Sequence, residues 1–171
     1  VSSNITLDAP IHRGDASSPN WTGTYLHTST DAQANSPISI SYSDLASNIG
    51  DTITSTMDGS KVVFDRTLPT LNPVTISSDI ADTTKAISGS IVTINFTSSE
   101  EISGVSAEIG GHPAILMNDG THTTWTARYT MQASDIEGVQ GIRIAFQDST
   151  GNIGSSVTTT SNGSSVLYDR T

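Results

Sequence analysis

Apolar and polar residues alternate in short runs through the last two thirds of the chain, and turn-forming residues break the runs at intervals of roughly ten. Val92, Ile94 and Phe96 fall on one face of a strand expected over residues 91–97, behind a first strand at 74–77. Residues 105–109 and 114–117 flank Gly110-Gly111, which predicts a hairpin. Trp125, Ala127, Tyr129 and Met131 alternate with Thr126, Arg128 and Thr130, giving one apolar and one polar face. Ile142, Ile144 and Phe146 repeat that pattern, and a last strand runs from about Val157 to Tyr168, broken at Asn162-Gly163. No stretch has a competing helical period. The pattern predicts an all-β fold of about seven strands, the count of an immunoglobulin-like β-sandwich. Cysteine is absent, so the likeness is architectural, without the inter-sheet disulfide of antibody domains.

The strand pattern occurs twice. Residues 1–67 align with 105–171 without a gap at a constant offset of 104. Trp21 meets Trp125, Tyr25 meets Tyr129, Asp31 meets Asp135 and Asp44 meets Asp148. Asn48-Ile49-Gly50 meets Asn152-Ile153-Gly154, and both copies close on Asp-Arg-Thr. The expected organisation is a partial repeat over 1–67, lacking its first strands, followed by a complete repeat over 68–171. The missing part corresponds to 68–104. Either the chain is a piece of a longer array, which is the preferred expectation, or another copy supplies the strands. A half-covered core with an open strand edge invites pairing with another chain.

Composition removes several function classes. Seven basic and 17 acidic residues give a net charge of −10, the wrong sign for nucleic acid or an anionic membrane surface. No apolar run has the roughly 18 residues of a membrane span, and no signal-like segment opens the sequence, so a soluble, mature or excised segment is expected. Charged residues make up only 14%, while Ser and Thr suit pleated surfaces and turns.

The runs VTINFTSSEEISG, AEIGGHPA, TTWTARYTM and ASDIEGVQGIRIAFQDSTGNIG, with the Asp-Arg-Thr-x-Pro junction at residues 65–69, resemble bacterial Ig-like tandem repeats of large secreted and surface proteins, adhesins among them. The resemblance covers the complete copy and continues through the partial one. It implies an extracellular stalk, spacer or adhesive array.

Catalysis has little to stand on. His12, His27, His112 and His122 lie in no metal-ligand spacing, and Glu100 and Glu101 are neighbours that point to opposite sides of an extended chain. No catalytic residue and no enzymatic role is expected. Eight of the nine aromatics form pairs at the repeat offset, Trp21/Trp125, Tyr25/Tyr129, Tyr42/Phe146 and Phe64/Tyr168, and core packing explains them better than a sugar-binding platform. Arg13-Gly14-Asp15 spells an integrin-binding tripeptide, but Met117-Asn118-Asp119 does not repeat it. Sequons at Asn4, Asn20, Asn95 and Asn162 are expected by composition, with Asn95 facing solvent.

The carboxylates are the most informative set. In an up-and-down sandwich, the entry to the complete repeat, the loop after its second strand and the last inter-strand turn fall at one end. Those segments carry Asp65, Glu100 with Glu101, and Asp148 with Asn152. Oxygens converging from three segments are the ligands that Ca²⁺ takes. A calcium-dependent joint is therefore expected, against the plainer reading in which Asp148 and Asn152 only form a tight turn. The expected function is a structural and adhesive segment of a large extracellular bacterial protein, with neighbouring repeats as partners. A carbohydrate- or receptor-binding accessory module is the alternative.

Overall fold

The computed structural model describes residues 23–170. The chain divides into two compact units, Val1–Arg66 and Thr67–Thr171. The described residues are all-β, with no helix and so none able to cross a membrane. His12, Arg13-Gly14-Asp15, Asn4, Asn20 and Trp21 lie outside them.

In the first unit β1 (Ala34–Asn35) pairs antiparallel with β2 (Val63–Phe64), and single bridges join Ile40 to Ile53 and Ser43 to Ile49. The second unit contains β3 (Leu71–Ser78), β4 (Lys85–Ala86), β5 (Ile91–Ser98), β6 (Ile102–Ile109), β7 (His112–Pro113), β8 (Ile115–Asn118), β9 (Thr124–Thr130), β10 (Gly138–Val139), β11 (Ile142–Asp148) and β12 (Leu167–Tyr168). One sheet has the order β3-β5-β9-β8, a second β11-β6-β7, and a small third β10-β12-β4. Val74, Ile94, Phe96, Trp125 and Ala127 from the first sheet join Ile102, Ile109, Ile144 and Phe146 from the second in one buried cluster. Two sheets sharing a core make a β-sandwich-like arrangement, with polar residues alternating outward.

Three expectations need correction. Residues 114–117 do not form a simple hairpin with 105–109. Only β7 and Ala114, whose N–H donates to Ala107, stay with β6, after which β8 crosses to β9. Residues 157–168 are broken at the Asn162-Gly163 turn, as the sequence predicts, but form less strand on either side of it than expected. The segment bridges Ile144 at Val157, turns through its Ser, Thr and Gly residues, and pairs regularly only at β12.

The third concerns burial. Trp125, Ile142, Ile144 and Phe146 are buried, but Tyr129 is only half-buried, with its hydroxyl bonded to the buried Asp135. In the first unit Tyr25 and Ile38 are half-buried, and Ile40 and Tyr42 are 42% and 53% exposed, where their counterparts Ile144 and Phe146 are 0% and 3%. The second unit covers those counterparts with β3 and β5. The described part of the first unit holds no such strand pair.

Candidate metal centre

Strand register brings two of the acidic segments together. In the β11–β6 ladder Asp148 stands opposite Ile102, so the end of β11 lies beside the bend that carries Glu100 between β5 and β6. The start of the second unit is tied to the same bend, since Thr70 N–H donates to Ser99 Oγ (3.0 Å) and Ser99 N–H to Thr70 C=O (2.9 Å). Asp65, Glu100 and Asp148 form a group that could hold a metal ion: one carboxylate oxygen from each lies within 4.8 Å of the others. Asp148 is buried and the other two half-buried. Glu101 is exposed and outside this group.

Asp148 also closes a turn. Its Oδ1 accepts from Thr150 N–H (2.8 Å), Thr150 Oγ1 (2.9 Å) and Asn152 N–H (2.8 Å), and its Oδ2 from Asn152 Nδ2 (2.7 Å). Burial opposes ionisation of this carboxyl, but the hydrogen bonds from Asn152 and Thr150 outweigh it and hold the group below the ordinary carboxylate range. The donor set fits a hard cation, because carboxylate oxygens are the preferred ligands of such ions and three of them in one place repel each other without a counter-charge.

The turn does not depend on the other carboxylates. In the first unit Asp44 Oδ1 accepts from Ala46 N–H (2.9 Å) and Asn48 N–H (2.8 Å), and Oδ2 from Asn48 Nδ2 (2.8 Å). Asp44, hydrogen-bonded first by the Asn48 side chain, is likewise held below its ordinary range. Turn formation is thus a local property of the D-x-x-x-N spacing, and Asp148 combines it with membership of the carboxylate group.

Sequence reasoning missed a second recurring arrangement. Tyr25 donates to Asp31 (2.8 Å) and Tyr129 to Asp135 (3.2 Å), while Thr28 and Gln132 N–H groups reach the other oxygen of the same carboxylates, each at 2.7 Å. Arg66 N–H donates to Gln33 Oε1 (2.9 Å) and Arg170 N–H to Glu137 Oε1 (3.0 Å), fastening the end of each unit to that turn. All these positions differ by 104. Identity of Tyr, Asp and Arg at the offset was visible, but nothing in the spacing announced that they meet. A histidine also approaches each Asp, from unrelated positions: His27 at 3.4 Å and His112 at 3.3 Å.

Comparison of the chain with protein-family models, curated proteins and solved structures finds no match.

Features suited to other ligands are sparse. Among the described residues Tyr42 is the one exposed large aromatic, which does not make a stacking platform. A depression of about 370 Å³ in the second unit is bordered by Ile136, Val139, Gln140 and Arg143. Asn95 is exposed in mid-strand, its carboxamide oxygen accepting from Thr126 Oγ1 (3.1 Å).

Proposed function

We infer that the chain is a tandem immunoglobulin-like segment of a large extracellular bacterial protein, serving as a stalk or spacer with an adhesive role. The observation that carries this reading is the recurrence of whole side-chain networks at an offset of 104, in the Asp44 and Asp148 turns and the Tyr25–Asp31 and Tyr129–Asp135 pairs. Selection for a ligand pocket would have no reason to preserve such networks in both copies, whereas a serial load-bearing array needs every copy folded alike. An acidic surface supports the same reading by keeping arrays soluble and laterally separate.

Calcium is the cation we assign to Asp65, Glu100 and Asp148, with Asn152 beside them. Outside cells Ca²⁺ is abundant enough for a site of about 10⁻⁴ to 10⁻³ M to fill. The exposed face of Ile40, Tyr42 and Val62 in the first unit would take a strand pair of the β3 and β5 kind from another copy of the repeat.

Location is tested by raising antibodies against residues 68–171 and applying them to intact cells of the source. Labelling without permeabilisation is the expected result. Labelling only after lysis would overturn the extracellular assignment.

A further inference from the structure

Asn162-Gly163 is the one Asn-Gly dipeptide in the chain, and its surroundings give it two properties that the spacer role does not use. The first is chemical. Asn162 is exposed, Gly163 has a φ of 73°, and Ser164 N–H donates to Asn162 Oδ1 at 3.0 Å. That bond folds the carboxamide back across Gly163. It also draws electron density from Cγ and would stabilise an oxyanion forming on Oδ1. Glycine leaves the attacking nitrogen unshielded by a side chain.

The second property is mechanical. The shoulders of this turn cover the outer edge of β3. Ser161 Oγ accepts from Val74 N–H and Ser164 Oγ from Ile76 N–H, both at 2.9 Å, and Ser161 N–H donates to Val74 C=O at 2.8 Å. Thr160 Oγ1 closes the loop on Ser164 C=O at 2.8 Å. β3 is a terminal strand of its sheet, and unpaired edge groups invite pairing with other chains, so these serines act as an edge guard.

We propose that Asn162 is a self-modifying site, deamidated through a succinimide, and that its isoaspartyl product releases the guard on β3. The Gly163 nitrogen loses its proton to hydroxide and attacks Cγ of Asn162. A Cγ–N bond forms, Nδ2 takes a proton from water and returns hydroxide, the Cγ–Nδ2 bond breaks, and ammonia leaves. Water then opens the ring at either carbonyl, giving aspartate or isoaspartate.

The first unit holds the aspartate outcome already. Asp58-Gly59 occupies the equivalent turn, with Ser60 N–H on Asp58 Oδ1 at 3.0 Å, Gly59 at a φ of 73°, and Thr56 Oγ1 on Ser60 C=O at 2.7 Å. Aspartate at 162 therefore keeps the turn. Isoaspartate routes the main chain through the former side chain and adds a carbon between residues 162 and 163. Ser161 and Ser164 can then no longer match the spacing of Val74 and Ile76 together.

The full 171-residue chain is aged in mildly alkaline buffer and followed by peptide mass mapping, with hydrogen exchange read at Val74 and Ile76. The expected result is a gain of about one dalton at Asn162 before any other asparagine, with ammonia released, and markedly slower gain in Gly163→Ala. In the purified isoaspartyl form, exchange at Val74 and Ile76 rises about tenfold or more, while Asn162→Asp exchanges like the parent. Because Asn162→Asp carries the new charge without the extra carbon, it separates a backbone effect from a charge effect. Modification beginning at another asparagine, or an isoaspartyl form with unchanged exchange, would overturn the proposal.

Discussion

Gly154 faces the ring of Phe146 so closely that a Cβ on the glycine would overlap it. Gly50 and Tyr42 stand in the same relation 104 residues earlier. Glycine is required here for the approach of a ring to the backbone, since neither residue needs a positive φ. The two pairs differ in what can yield. Phe146 is locked in the core, whereas Tyr42 is half in solvent and can swing away. Gly154→Ala is expected to cost about 1–3 kcal/mol through overpacking. Gly50→Ala should stay within about 0.5 kcal/mol, as surface changes do. Denaturant titration of both variants checks the contrast, and equal costs would mean that the two rings are held alike.

Trp125 stacks parallel to Phe96 with centroids 6.4 Å apart, and its Nε1–H donates to His122 C=O at 3.1 Å. Trp125→Ala is expected to destabilise the second unit by about 3–5 kcal/mol. Tyr42→Ala, at an exposed ring, should change the melting behaviour of the first unit by no more than about 1 kcal/mol. Thermal melts followed by near-ultraviolet dichroism separate the two.

Acid should loosen the Asp148 turn. Hydrogen bonds to the ionised form hold this carboxyl below its ordinary value of 3.8, so the unfolded chain takes up the proton first. The resulting stability is complete above the unfolded value and disappears as pH falls through the lower folded one. Urea titrations at stepped pH should give a falling stability from roughly pH 4 downward, with a shallower fall in Asp148→Asn. Parallel slopes in the two proteins would remove Asp148 from the acid response.

The proposed calcium binding is best separated from turn formation at Glu100, because Asp148 belongs to both the turn and the carboxylate group. Calorimetric titration should yield heat and a raised melting temperature for the unmodified chain, following mass action. Glu100→Gln should lose both while keeping the Asp148 turn. Asp44→Ala, which breaks the corresponding turn in the first unit, should leave calcium binding intact. No heat and no shift in the unmodified chain would reduce Asp148 and Asn152 to turn formers.

Alternation made the core strands legible: Val92, Ile94 and Phe96, or Ile142, Ile144 and Phe146, fall at every second position on one face and are buried together. Strand pairing was less legible. The crossing of β8 to β9 depends on a change of partner after Ala114 that leaves no periodicity of its own. Short strands such as β4 and β10 carry too few residues to show alternation, and tertiary pairing alone defines them. Core packing of Tyr42, expected from its pairing with Phe146, is not met, because an apolar face predicts what a residue can bury against, not that a partner strand is there. At the candidate site, topology put Asp65, Glu100 and Asp148 at one end, while Glu101 could not be told from Glu100 until the direction of the bend was fixed.

The central claim, that the complete copy is a separately folded mechanical element of a stalk, is tested most directly by pulling the chain from its two ends in single-molecule force spectroscopy. The second unit, residues 67–171, should hold until it ruptures in one event, lengthening the chain by somewhat less than the roughly 3.3–3.6 Å per residue of a fully extended segment. The first unit, with its exposed apolar face, should give way earlier. Smooth lengthening of the whole chain without a rupture event would contradict the account.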